Sequence, residues 1–192
     1  MARSFLKKLM ARLRDDTSGT VVVEMVITLP LLLWALMATF EFFEVFRYKS
    51  IRDKATYVIA DMISREKQQP GWVDGTYMDN SLRLFNDIVT DRGANQIRVT
   101  IIRYRLAEGY TVQWSEPRGT GSMAKLTTAD IQADLARIPN MNDGDELIVV
   151  DATSTYIPNF NVGLGNSIPI ISRTFTSFRE LGKLCWGPNP CP

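Results

Sequence analysis

The sequence predicts an α+β chain: one long N-terminal helix, first in lipid and then a stalk in water, carrying a small antiparallel-sheet domain with two short helices. Three observations point there. Apolar residues crowd between Val21 and Phe46. Nothing from Thr20 to Glu66 stops a helix, since Pro30 is tolerated in a membrane span. Beyond Glu66, short β runs and two amphipathic segments are separated by glycine- and proline-bearing turns.

Residues 1–19 read as a basic cytoplasmic leader. Five basic residues (Arg3, Lys7, Lys8, Arg12, Arg14) face two acidic ones (Asp15, Asp16), a net +3; the rest of the chain has 17 basic and 19 acidic residues, a net −2. A basic head before an apolar span is held on the cytoplasmic side, and the remainder of the chain is translocated. Residues 20–46 read as the transmembrane helix. Thr20 to Phe42 alone is 23 residues, about 34 Å of helix against a hydrocarbon core of about 30 Å. Pro30 removes a hydrogen bond, crowds the preceding turn and predicts a kink. Phe40, Phe42, Phe43, Phe46 and Tyr48 gather where the segment meets water, and Glu41, Glu44 and Arg47 mark the exit. Residues 47–66 read as the helical stalk, with Ile51, Ala55, Val58 or Ile59, and Met62 on one stripe.

Two other readings of the apolar stretch exist. A cleaved secretory signal has the right apolar length, but "WALMATFEFF" is bulky where a signal peptidase needs small residues. A plain single-pass anchor leaves Glu24 without a purpose. A charge at mid-span costs about 2.5–3.5 kcal/mol and less near an interface. A carboxylate kept there is a functional candidate that needs a cationic partner.

Residues 67–192 read as an extracytoplasmic α+β domain. Pro70, Gly71 and Gly75 mark a break. A short helix comes next, capped by Asp79, Asn80 or Ser81, with Leu82, Phe85, Ile88 and Val89 on its apolar side. "NQIRVTIIRYRLAEGYTVQWSEP" predicts a hairpin around "AEG", where Ile97, Val99 and Ile101 alternate with Arg98, Thr100 and Ile102. A second helix is capped by Thr127 or Thr128, turns Ile131, Leu135 and Ile138 inward and stops before Pro139. "ELIVVDATSTYIP" and "IPIISRTFTSFRE" are two more strands, joined by "NFNVGLGNS".

Composition narrows the chemistry. A net charge of +1 argues against nucleic acid as a partner. The chain has no histidine, the commonest general base and metal ligand. Its two cysteines, Cys185 and Cys191, cannot build a zinc site alone; in an oxidising compartment they pair, closing a loop worth about 2 kcal/mol. "VGLGNS" at 162–167 does not lead from a strand into a helix as a phosphate loop must, and reads as a plain loop. "NDGDE" at 142–146 lacks the spacing of a calcium loop and reads as a turn. Arg98, Arg103 and Arg105 read as a solvated sheet face. Ser115, Ser154 and Ser172 have no histidine to activate them. No catalytic constellation emerges, so no enzyme activity, cofactor or metal is expected.

One pattern remains. "GTVVVEMVITLPLLL" (19–33) puts Gly19 just before the apolar segment, Glu24 five residues later and Pro30 six after that; "FEFFEVFR" (40–47) closes the span. Cleavage between Gly19 and Thr20 would free an α-amino group one helical turn from Glu24. In a bundle of such helices, one chain's carboxylate then neutralises its neighbour's amine and sets their register. This pattern resembles the TadE-like family of minor pilins and pseudopilins from tight-adherence (type IVc) pilus systems. The match covers about residues 15–50, with a weaker likeness at "IPIISRTFTSFRE". Met25 departs from the aromatic residue common after the glutamate in the major pilins, which favours a minor component, as does the length. The resemblance implies a pilin-like fold, cleavage by prepilin peptidase at Gly19–Thr20, and assembly and register roles for Glu24 and Pro30. Its implied partners are other pilins, the inner-membrane assembly platform and membrane lipid, and the implied place is the bacterial inner membrane with the C-terminal domain periplasmic. The rival expectation is an unprocessed single-pass tether whose outer domain binds an envelope partner.

Overall fold

The computed structural model describes residues 18–66, 72–90, 93–179 and 183–187. Helix α1 spans Ser18–Ser64, 47 residues, and runs through Pro30 without interruption. Strand β1 (Trp72–Val73) and helix α2 (Gly75–Val89) come next, then strands β2 (Gln96–Arg105) and β3 (Gly109–Gly119). Helix α3 (Thr128–Ala133) runs into a 3-10 turn, Leu135–Arg137, and strands β4 (Glu146–Tyr156), β5 (Ile168–Ser177) and β6 (Cys185–Trp186) complete the order. Four strands form one antiparallel sheet, ordered β3-β2-β4-β5, while β1 and β6 pair in parallel as a separate ribbon.

The sheet has a different layer on each face. On one, Ile97, Val99, Ile101, Ile148, Val150 and Ala152 meet Ala55, Ile59 and Ile63 of α1 and Met78, Phe85 and Val89 of α2. On the other, Ile102, Leu147 and Val149 meet Ile131 and Ile138. Adjacent residues Ile101 and Ile102 are both buried, one in each core, beside a register shift in the β2–β3 pairing. The alternation that placed Ile102 with the polar residues of β2 missed that the second face is also covered.

Residues 47–64, expected as a stalk in water, lie along β4 and β5 as the spine of the main core. Ile59, not Val58, is the buried member of the stripe. Hydrogen bonds tie the spine to the sheet at successive levels. The Tyr48 hydroxyl donates to the Thr155 carbonyl at 3.0 Å, and the Ser172 hydroxyl donates to Asp53 at 2.6 Å. At the far end the Arg179 amide donates to the Ser64 carbonyl at 3.1 Å, satisfying one of the carbonyls a helix terminus leaves open.

Other expectations need correcting. Helix α2 starts earlier than Asp79, Asn80 or Ser81: Asp74 is extended and its carboxylate accepts from the Tyr77 amide at 2.8 Å. Gly75, expected within the break, is the first helical residue. Thr127, rather than Thr128, caps α3, in a reciprocal capping box with Asp130. Leu135 is 45% exposed, because α3 gives way to the 3-10 turn after Ala133 and the side chain rotates off the inward stripe.

The arginines of β2 are not simply a solvated face. Register places Asp151 between Arg98 on β2 and Arg173 on β5. Arg98 reaches Asp151 at 2.6 Å and Arg173 at 2.6 Å from the other side. Arg103 is buried and paired with Glu146 at 2.6 Å, while Arg105 is exposed. Charge-assisted pairing makes burial of these groups tolerable.

Candidate functional site

Helix α1 is long and apolar enough to cross a bilayer, and its apolar stretch is not buried in the protein. From Val21 to Phe40 every side chain is exposed except half-buried Ala38. That stretch of 20 residues is about 30 Å long, the thickness of a hydrocarbon core. A largely apolar helix segment that stays exposed, touching the rest of the described chain only near its end where Phe40 meets Phe160, suits lipid or the company of other apolar helices.

The predicted site residues lie along it. Gly19 is exposed within the first turn, and a Cβ there would meet nothing within 4 Å. Thr20 is helical. Glu24 is exposed, and its carboxylate has no hydrogen-bond or ion-pair partner among the described residues. Its backbone carbonyl accepts from the Thr28 hydroxyl at 2.8 Å. Pro30 lies inside the helix and offers no N–H to the Val26 carbonyl four residues back. Cys185 is disulfide-bonded and lies on β6, next to a tryptophan pair: Trp114 and Trp186 have ring centroids 5.4 Å apart, and the Trp114 indole donates to the Leu184 carbonyl at 2.7 Å. Cys191, its expected partner, lies outside the described residues, as does most of the basic leader. Chain position thus separates the predicted site residues into two groups, with Gly19, Thr20, Glu24 and Pro30 on the exposed apolar half of α1 and Cys185 in the head.

A second carboxylate on α1, expected only as an exit marker, is the better-held one. Glu41 lies 17 residues beyond Glu24, about 26 Å along the axis. It is 0% exposed. The Tyr156 hydroxyl donates to it at 2.5 Å, and the successive amides of Asn159 and Phe160 donate at 3.1 and 3.2 Å, one to each oxygen. Consecutive amides aimed at one anion form a nest, which stabilises negative charge without a cation. Burial, and then the Glu41 carboxylate, hold the Tyr156 phenol above its ordinary value of 10. Around this latch the Phe160 ring sits edge-on to Phe40 at 6.1 Å, and Tyr156 packs on Tyr48 at 4.9 Å. The Arg52 guanidinium lies over the other ring, Tyr48.

The signal for this site is present in the sequence but incomplete. Glu41 stands apart from Glu44 and Arg47, flanked by phenylalanines, so it needs donors. The donors are 115 to 119 residues away, beyond what spacing can find.

The remaining candidates are engaged structurally. Ser115 shares a 2.8 Å hydrogen bond with Thr100 and accepts from the Leu126 amide. Ser154 donates to Asn95 and Ser172 to Asp53. In "NDGDE", Asp145 accepts from Asn142 and Glu146 pairs with Arg103. "VGLGNS" belongs to the β4–β5 loop, where Gly163 and Gly165 take positive φ values of 100° and 84°.

No family model, curated protein or solved structure matches this chain.

Proposed function

We propose that this protein is a minor pseudopilin of the TadE-like kind, which takes part in priming or capping a tight-adherence (type IVc) pilus. Its head lies outside the inner membrane and its basic leader inside. Prepilin peptidase cuts between Gly19 and Thr20, and α1 then packs against the helices of other pilins at the assembly platform.

What supports this reading above all is the contrast between two carboxylates of α1, Glu24 and Glu41. Glu41 has three donors within its own chain, whereas Glu24 has none among the described residues and stands exposed on an apolar helix. A naked carboxylate in an apolar medium is costly unless another molecule supplies its counter-charge. A newly freed amine on the adjacent subunit is the counter-charge that the "GTVVVE" spacing offers. Pro30 has a related place, because the unbonded Val26 carbonyl is better satisfied among helices than in lipid.

Mass spectrometry of the protein purified from membranes is the direct test. A chain starting at Thr20 is the expected result; an intact leader sinks the pilin reading and leaves the tether. Independently, Glu24→Ala is expected to insert and fold its head normally while losing assembly. Wild-type piliation by that variant removes Glu24 from the mechanism.

A further inference from the structure

We propose that the β4–β5 loop, residues 157–167, is a second membrane-contact surface: a foot that presses Ile157, Phe160 and Leu164 into the headgroup boundary of the bilayer crossed by α1. This rests on α1 spanning a membrane.

Level is the first argument. If Val21–Phe40 fills the hydrocarbon core, its outer edge falls at Phe40 and Glu41. The loop is held at that same level. Its Asn159 and Phe160 amides are bonded to Glu41, and the Phe160 ring contacts Phe40. The head therefore has no stalk lifting it from the membrane. Its first hydrogen bonds to α1 form where the helix leaves lipid.

Chemistry is the second. No charged residue occurs from Ala152 to Ser172. Ile157, Phe160 and Leu164 are 72%, 41% and 40% exposed. The polar groups interspersed with them are neutral: Asn159, Asn161, Asn166 and Ser167. Neutral polar groups mixed with exposed apolar ones suit an interface that is part headgroup and part acyl chain. Exposed Phe40, Phe42, Phe43 and Phe46 continue the apolar surface around the helix at this level. The opposite end of the sheet has different chemistry, with Arg105, Glu108, Asp143, Asp145 and Glu146 at its turns.

The occupant is lipid rather than a second copy because the loop is fastened beside its own helix at the exit point, where the bilayer of that same helix must lie. Glu41 then acts as a positioning residue. Its nest fixes the loop's height, and the loop in turn covers the carboxylate.

The experiment places a fluorescent amino acid, acridonylalanine, at Leu164, at Leu36 in the apolar helix or at Leu106 on the far hairpin turn. All three are exposed, so none disturbs the core. Each full-length chain is reconstituted in phosphatidylcholine–phosphatidylglycerol vesicles containing lipids nitroxide-labelled either near the headgroup or deep in the acyl chain. The Leu164 probe is expected to lose most of its emission to the shallow label, the Leu36 probe to the deep label, and the Leu106 probe to neither. If Leu36 is quenched while Leu164 is reached only by aqueous iodide, the foot lies in water and the proposal is overturned with the span intact. A Leu164 probe shielded from iodide and both lipids is covered by a second copy, which also overturns it. An unquenched Leu36 probe removes the membrane span itself.

Discussion

The two halves of α1 share one unbroken helix and little else. From Val21 to Phe40 the side chains are apolar apart from Glu24, Thr28 and Thr39, and nearly all are exposed. From Glu41 to Ser64 the helix has a buried stripe, and even its buried polar residues have partners: Glu41 in its nest, Thr56 on the Arg52 carbonyl, Ser64 on Asp61. The first half suits a solvent that makes no hydrogen bonds, and the second suits a partner of fixed shape. A helix can belong to a membrane and to a protein core in turn because its backbone satisfies itself in both. Only the side chains have to change, and they do so over about three turns, from buried Glu41 through exposed Phe42, Phe43 and Phe46 to the buried stripe that begins at Arg52.

The largest expected effect sets the halves against each other. Ile59→Asp buries an unpaired charge in the main core and should remove about 5 kcal/mol of head stability, enough to unfold a marginal domain. Leu32→Asp should leave head unfolding unchanged and instead cost about 2.5–3.5 kcal/mol of membrane insertion. Tryptophan-monitored denaturation in nanodiscs reads the first, and a glycosylation-based insertion assay reads the second. Equal damage to the head from both would mean that the halves are coupled.

Glu41, at the boundary, should give the next largest effect. Glu41→Ala leaves a phenol and two amides without their acceptor and should cost about 3 kcal/mol, whereas Glu41→Gln retains one acceptor oxygen and should cost about 1 kcal/mol. Amide exchange at Asn159 and Phe160 checks this locally. Protection of both amides unchanged by the alanine would dissolve the latch.

Reduction of the disulfide at Cys185 should lower head stability by about 2 kcal/mol and leave the lipid half untouched, as read by calorimetry with and without reductant.

The smallest effect is alkaline. Tyr156 is held above its ordinary value of 10, so the unfolded chain releases that proton first as pH rises. Its contribution is complete below pH 10 and is lost progressively above it. The alkaline loss should shrink in Tyr156→Phe, as followed by stability measured across that range; an identical slope in the variant would separate Tyr156 from it.

Legibility differs in the same way as the helix halves. The apolar half can be read nearly residue by residue, because a candidate bilayer span is recognised by apolarity and length alone. The long strands are also legible, since "ELIVVDATSTY" and "QIRVTIIRYR" carry enough β-branched residues to identify themselves. The β1–β6 ribbon is not: each strand has two residues, too few for any period, and they pair across more than a hundred positions. The start of α2 is hidden because Gly75 looks like a breaker, although glycine is tolerated in a first turn with Asp74 capping it. Charge alone makes Arg98 and Arg103 look solvated, and their carboxylate partners lie on another strand.

The sequence by itself determined that a long helix with an apolar first half opens the fold, which long segments are strands, and that Glu24 stands alone as a charge within that apolar half. These are consequences of local composition and period, which act through solvent and neighbouring residues. Only the tertiary structure decided that the supposed stalk is the spine of the core, that Asp151 sits between two arginines, and that Glu41 is held by a loop more than a hundred residues away. Those outcomes depend on which distant groups meet, and hydrogen bonds and close packing act over a few ångströms of space, whatever the separation along the chain.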